Sequence, residues 1–181
     1  MKELKLENAV IFGVSQGGMI AQSLAINHPE LVSKLILGST TSRIDEASKE
    51  RLCGWLKYAE NNSPAELCKS FINDVYSEAY VKKFGKIIIA FHKNCSDEEI
   101  ERFILTAKAC EGFDVLSELK NIKCPSLVIG AENDRIFDTN CFKETAQELG
   151  SELYIYPAPY GHAVYDEAPD YKEKMLKFLN K

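Results

Sequence analysis

Short apolar runs alternate with amphipathic stretches at both ends of the chain. Nearly continuous apolar runs predict strands at residues 9–12, 32–37, 126–130 and 153–156. Amphipathic stretches predict helices at residues 18–28, 139–149 and 169–179. Apolar strands that alternate with helices are typical of a parallel sheet covered on both faces. The pattern therefore predicts an α/β fold with about four parallel strands.

The middle of the chain follows a different pattern. Residues 44–112 carry helical signals and no alternation with strands. Ser63 precedes a proline and Ser96 begins a capping box, so each is expected to cap a helix. We therefore expect three or four helices inserted into a core formed by residues 1–43 and 113–181.

Length and charge narrow the range of functions. The 181 residues, 45% of them hydrophobic, suffice for one domain with an insertion. The net charge of −5 and the scattered Lys and Arg argue against nucleic acid or an anionic membrane as a partner. No apolar run is long enough to span a bilayer, and the first residues lack the apolar segment of a signal peptide. We expect a cytoplasmic protein.

The six cysteines are predicted to be reduced thiols. They form no Cys-x-x-Cys pair, and no histidine lies at metal-ligand spacing from any of them. The glycines around Ser15 match neither the dinucleotide fingerprint nor the phosphate-binding loop. We therefore expect neither a metal nor a cofactor.

A serine stands where the first strand turns into the first helix, in Gly13-Val14-Ser15-Gln16-Gly17. Such a turn strains the backbone of Ser15, and we expect Gly13 and Gly17 to let strand and helix pass close together. Gln16 begins the helix, so its N–H lacks an intrahelical partner and can point at a developing oxyanion. The turn predicts a nucleophile and half of an oxyanion hole.

Two later loops carry groups that could activate this serine. Asp134 follows the third predicted strand, and His162 follows the fourth. Loops at the carboxyl ends of parallel strands gather along one edge of the sheet, where Ser15 also lies. A serine needs a base to take its proton and a third group to orient that base. Glu132 and Asp138 are rival acids, although Asp138 fits better as the N-cap of the following helix.

Three segments together resemble a known family. Residues 13–19, 130–134 and 161–169 are similar to the nucleophile elbow, acid loop and histidine loop of the α/β-hydrolases, in the family's chain order. The resemblance covers essentially the whole chain. It is nearest to small cytoplasmic esterases and lactonases, including enol-lactone hydrolases.

The resemblance implies a role for each candidate residue. Ser15 would be the nucleophile, His162 the general base and acid, and Asp134 the orienting carboxylate. Residues 44–112 would form the helical cap. The implied function is hydrolysis of a small carboxylic ester, thioester or lactone through an acyl-enzyme intermediate.

One departure from the family pattern matters. The family's elbow follows the fifth of eight strands, whereas Ser15 lies close to Met1. The resemblance therefore implies a truncated α/β-hydrolase that lacks the loop with the second oxyanion donor. Because losing one donor costs roughly 10²–10³ in turnover, we expect a weak catalyst.

The same departure leaves the strand at residues 9–12 as an unpaired apolar edge. We expect that edge to be covered by self-association or by an N-terminal half supplied elsewhere. The alternative function is that of a non-catalytic remnant that acts as a binding or oligomerising module.

Overall fold

One parallel sheet forms the centre of the computed structural model, which describes residues 1, 3, 6–92 and 95–181, with side chains at all of these except 91 and 92. The strands lie in the order β1-β2-β3-β4, and every neighbouring pair is parallel. They are β1 (Ala9–Val14), β2 (Val32–Gly38), β3 (Ser126–Ala131) and β4 (Glu152–Tyr156). The predicted four-stranded α/β fold is confirmed.

Helices follow the strands and fill the long connection between β2 and β3. The α-helices are α1 (Gln16–Asn27), α2 (Glu46–Glu60), α3 (Pro64–Val75), α4 (Glu78–His92), α5 (Asp97–Lys108), α6 (Thr139–Leu149), α7 (Val164–Glu167) and α8 (Tyr171–Leu179). Short 3₁₀ turns lie at Pro29–Leu31 and Leu116–Asn121. The sequence pattern missed α7, because four residues are too short to show a helical period.

Helices α2–α5 form what we call the helical block (residues 46–108). The chain leaves the sheet for this block and returns through a short neck in which Arg43 and Asp114 form an antiparallel bridge. Ser96 forms the predicted capping box with Glu99. Ser63 lies at the N-cap position of α3, but the expected capping by its side chain is wrong. Its hydroxyl donates to the carbonyl of Asn61 and accepts from no N–H of α3.

The core lies on both faces of the sheet. Leu35 and Leu37 pack into one hydrophobic cluster, and Ile36 between them packs into the other. Successive side chains of a strand point to opposite faces, so β2 is covered on both sides. Each of the six residues of β3 is buried as well. This burial accounts for the nearly continuous apolar runs in the sequence.

Strand β1 stands at one end of the strand order. It pairs with β2, and the side chains of Val10 and Phe12 are 48% and 43% exposed. Among the described strands, β1 is therefore the apolar edge strand that the sequence predicted. Along the part of the chain that the structure describes, no helix has both the length and the apolar character needed to cross a bilayer.

Candidate active site

The turn between β1 and α1 holds Ser15 in a strained conformation. Its φ is 53° and its ψ is −123°, a backbone region that non-glycine residues rarely occupy. The strain follows from a close approach, because a Cβ at Gly13 would lie 2.3 Å from the carbonyl oxygen of Gly17. The strand can turn into the helix this sharply only with glycine at position 13.

The second glycine that this turn requires is Gly18 and not Gly17, and its close neighbour is the chain after β2. A Cβ at position 18 would lie 2.5 Å from the side chain of Thr40, whereas a Cβ at position 17 would meet open space. The expectation for Gly17 is therefore wrong: this residue contributes its carbonyl group to the contact, and its missing side chain is not required there. The sequence pattern could not distinguish these two neighbouring glycines.

The chain after β2 supports the serine turn from behind. The Ser15 N–H donates to the carbonyl of Gly38 at 3.0 Å, and the Thr40 hydroxyl donates to the carbonyl of Ser15 at 2.6 Å. The buried amide of Gln22 donates to the carbonyls of Gly18 and Thr41. The sequence pattern gave no indication that residues 38–42 support the turn. The available signal was a run of small, mostly hydroxyl-bearing residues directly after a buried strand.

Asp134 and His162 form a buried hydrogen-bonded pair. Oδ2 of Asp134 lies 2.8 Å from Nδ1 of His162, and the two side chains are 0% and 5% exposed. The other carboxylate oxygen accepts from the backbone N–H groups of Ile136 and Phe137 at 2.8 and 3.0 Å. These bonds fix the carboxylate. Because Nδ1 is engaged, Nε2 is the ring nitrogen that remains for proton transfer.

The rival acids contact other groups. Glu132 is exposed and accepts from the backbone N–H of Ala158. Asp138 accepts from the backbone N–H groups of Asn140 and Cys141 and so caps α6, as the sequence indicated. Neither carboxylate therefore competes with Asp134 for the imidazole of His162.

Ser15, Asp134 and His162 follow β1, β3 and β4 at the same edge of the sheet. The structure joins Asp134 and His162 directly. Within the described residues, the Ser15 hydroxyl forms no hydrogen bond, so it is available to a base or a substrate. The hydrogen bond between a nucleophile and its base is often long without substrate and tightens in the reacting complex.

Gln16 is the first residue of α1, so its N–H has no acceptor within the helix. This amide follows Ser15 directly and lies at the positive end of the helix dipole. It is the donor that the sequence pattern proposes for an oxyanion.

An apolar cavity of about 230 Å³ opens within the helical block. Its walls come from α3, α4, α5 and the residues beside them: Pro64, Leu67, Cys68, Phe71, Ile72, Tyr76, Ile88, Cys95 and Phe103. Burial, with Cys95 nearby, raises the pKa of the Cys68 thiol, and burial with the charge of Asp166 raises the pKa of Tyr76. The side chains of Cys68 and Tyr76 in the cavity wall are therefore neutral at pH 7.

The apolar cavity adjoins the histidine loop. A Cβ at Gly161 would lie 3.2 Å from the carbonyl carbon of Tyr76, so the cavity wall and the loop that carries His162 are in direct contact. Within the described ranges, no group of three or more His, Cys, Asp or Glu side chains is placed to hold a metal ion. All six cysteines are free thiols.

Comparison with known proteins identifies the family. The model of the α/β hydrolase fold family matches residues 1–169, so the chain belongs to this family. The chain is 26% identical to the uncharacterized hydrolase YugF of Bacillus subtilis, over 94% of this chain and 64% of that protein. It is 23% identical to 3-oxoadipate enol-lactonase 2 of Acinetobacter baylyi, over 75% of this chain and 50% of that protein.

The fold is also found among solved structures. MGS-M2, an α/β hydrolase enzyme from a Medee basin deep-sea metagenome library, superposes with a TM-score of 0.91 at 24% identity, over 99% of this chain and 68% of that one. The chain thus spans between half and about two thirds of the length of these relatives. The partial coverage and the four-stranded sheet confirm the predicted truncated α/β-hydrolase fold.

The glycines of the turn give the first testable prediction. Gly13→Ala should destabilise the fold by about 1–3 kcal/mol, because the new Cβ overlaps a backbone carbonyl that cannot move freely. Gly17→Ala, with open space at that Cβ, should stay within about 0.5 kcal/mol of the parent chain. Urea unfolding measures both, and equal losses in the two variants would contradict the assigned contact.

Proposed function

We propose that this chain is a serine hydrolase that cleaves a small carboxylic ester, thioester or lactone through an acyl-enzyme intermediate. The observation that carries the proposal is the buried hydrogen bond between Asp134 and His162 at the sheet edge that also holds Ser15. The strained conformation of Ser15 adds support, because such strain persists where the surrounding structure enforces it. The hydrolase and enol-lactonase names of its relatives point to the same chemistry.

Each proposed residue has a defined role in the reaction. Oγ of Ser15 attacks the carbonyl carbon while Nε2 of His162 takes the hydroxyl proton. Asp134 holds the imidazole in the required tautomer and stabilises the imidazolium. The N–H of Gln16 donates to the oxyanion. His162 gives the proton to the leaving group as the acyl-enzyme forms. It then takes a proton from the water that attacks the acyl-enzyme and passes it to Oγ of Ser15 as the acid product leaves.

We propose that turnover is low in this chain by itself. The Gln16 N–H supplies one oxyanion donor, and the sequence before Ser15 offers no His-Gly or Gly-Gly stretch for a second. Removing a single donor costs other hydrolases roughly 10²–10³ in turnover. The non-catalytic alternative is not favoured, because a mere binding module has no need of a buried, doubly anchored aspartate–histidine pair.

The apolar cavity is our proposed site for the acyl group of the substrate. It lies against the His162 loop through Tyr76, and its walls offer hydrocarbon, aromatic and neutral sulfur surface. Each buried methylene contributes about 0.8 kcal/mol. A substrate with a short aliphatic acyl chain would therefore bind more tightly than one with an acetyl group.

We further propose that another polypeptide segment covers the edge of β1. Val10 and Phe12 expose apolar surface there, and Ile20 of α1 is 65% exposed. Unpaired apolar edges invite strand pairing. The occupant is a second copy of the chain or an N-terminal half that supplies further strands. A cytoplasmic location and the exclusion of nucleic-acid and membrane partners remain predictions from the sequence.

The nucleophile can be tested with a fluorophosphonate probe. The folded chain should be labelled on Ser15 and should hydrolyse p-nitrophenyl acetate, and Ser15→Ala should abolish both. Ser117→Ala, at an exposed serine, should retain both. Asp134→Asn should lower turnover by up to about 10⁴ because it favours the wrong imidazole tautomer. A folded wild type that takes no label would support the non-catalytic alternative.

The acyl site can be tested by filling the cavity. Cys68→Leu should raise KM for p-nitrophenyl hexanoate about tenfold, since it displaces roughly two methylenes from the cavity. Acetate hydrolysis should change little and so reports that the variant is folded. Cys53→Leu, at an exposed cysteine of α2, is the matched control. An unchanged preference for hexanoate would place the acyl group elsewhere.

The edge proposal can be tested by light scattering after gel filtration. If a second copy covers β1, the chain elutes as a dimer or larger, and Phe12→Lys converts it to monomer. Leu153→Lys, at an exposed position of β4 on the opposite edge, should leave the mass unchanged. A stable wild-type monomer would exclude self-association and leave the N-terminal half as the occupant.

A further inference from the structure

The residue that follows Ser15 bonds to the helical block. The Gln16 side chain donates through Nε2 to the carbonyl oxygen of Thr106 at 2.6 Å and to Sγ of Cys110 at 3.2 Å. Thr106 lies in the last turn of α5, where carbonyl groups lack an intrahelical donor. The turn after α5 uses the neighbouring carbonyls of residues 105, 107 and 108. The carbonyl of Thr106 accepts a long 3.6 Å contact from the Cys110 thiol and the much shorter hydrogen bond from Gln16.

The residues that follow Asp134 and His162 likewise donate hydrogen bonds to carbonyl groups at the end of α3. The Arg135 guanidinium donates to the carbonyl oxygen of Asn73 at 2.7 Å and also pairs with the carboxylate of Glu78 in α4 at 3.1 Å. The backbone N–H of Ala163 donates to the carbonyl oxygen of Val75 at 2.9 Å. Both carbonyl acceptors lie in the last turn of α3. A cation at this position also complements the negative end of the helix dipole.

One pattern thus recurs three times. Each of the three side chains proposed for catalysis is followed by a residue that satisfies a carbonyl at the carboxyl end of a block helix. The three donors are an amide, a guanidinium and a backbone N–H, so the pattern lies in their position and not in one residue type. A displaced block would deprive the carbonyls of Asn73 and Val75 of these donors, and would leave the carbonyl of Thr106 only the Cys110 thiol. It would also pull on the residues beside the catalytic groups.

We propose that the helical block positions the catalytic groups through these contacts, with Gln16 and Arg135 as positioning residues. The inference rests on the proposed function. Gln16 couples α5 to the oxyanion N–H and to Ser15, and Arg135 couples α3 to the loop that carries Asp134. Because a misplacement of about 1 Å can cost 10²-fold in rate, these contacts affect turnover without touching substrate.

Two substitutions test the proposal. Gln16→Met keeps the length of the side chain and removes its donors. Arg135→Met keeps a shorter unbranched stem and removes the guanidinium with its contacts to Asn73 and Glu78. Each should lower kcat for p-nitrophenyl acetate about tenfold and leave KM within about twofold, since the contacts orient the catalyst and do not bind substrate. Arg135→Lys keeps a charge and a donor and should recover part of the lost kcat.

Two variants serve as matched controls. Arg102→Met removes an exposed arginine of the block that pairs with Glu98 on its own helix. Gln147→Met removes an exposed glutamine of α6. Both should keep wild-type kcat and KM.

Hydrogen–deuterium exchange provides a readout that needs no activity. Gln16→Met should speed exchange at residues 105–111, and Arg135→Met at residues 73–78, each about two- to tenfold, as expected when the one strong hydrogen bond to a helix carbonyl is lost together with a weaker contact. Each variant should leave the other segment unchanged. Urea midpoints within the range of the controls would show that the changes are local.

The outcomes separate the two proposals. A wild type that neither hydrolyses ester nor takes the fluorophosphonate label contradicts the proposed function, whereas the exchange data still decide whether the contacts hold the block. Faster exchange with unchanged kcat would overturn the positioning role, because the block would then be anchored without affecting the catalytic groups. Variants that match the controls in both measurements would overturn the contacts themselves.

Discussion

The contact between the end of β1 and the start of α1 is the constraint on which the candidate site depends. With no side chain at Gly13, the strand passes against the carbonyl of Gly17, and the backbone must reverse within the residues between them. Ser15 takes the strained conformation that results. The same turn makes Gln16 the first residue of α1, which leaves its N–H free of the helix and points its side chain at α5. A looser turn would lose all three features together.

The selection of Asp134 among three acidic neighbours illustrates how the backbone assigns roles to similar side chains. Its carboxylate is buried, and two backbone N–H groups hold one oxygen while the other meets His162. Asp138 uses its oxygen for the N–H groups of α6, and exposed Glu132 bonds a loop N–H. Backbone donors, more than the acids themselves, decide which carboxylate can orient the imidazole.

The sequence predicted the features that follow from periodicity and chain order. Buried strands produce apolar runs, and loops after parallel strands share one edge, so Ser15, Asp134 and His162 were recognisable as candidates. The four-residue helix α7 was missed for lack of a period, and the hydroxyl of Ser63 turned away from its expected role. The contacts to Asn73, Val75 and Thr106 could not be predicted, because a backbone carbonyl carries no residue-specific signal.

The neck at Arg43 and Asp114 has a consequence for how such a chain can diversify. Entry and exit of the connection lie side by side, and doubling the length of a flexible loop between fixed ends costs only about 0.6 kcal/mol. Inserted segments of quite different length can therefore replace one another at this neck without disturbing the β-sheet. Geometry would limit which insertions are compatible. The helices of a new insertion would have to end where the residues after Ser15, Asp134 and His162 already offer hydrogen-bond donors.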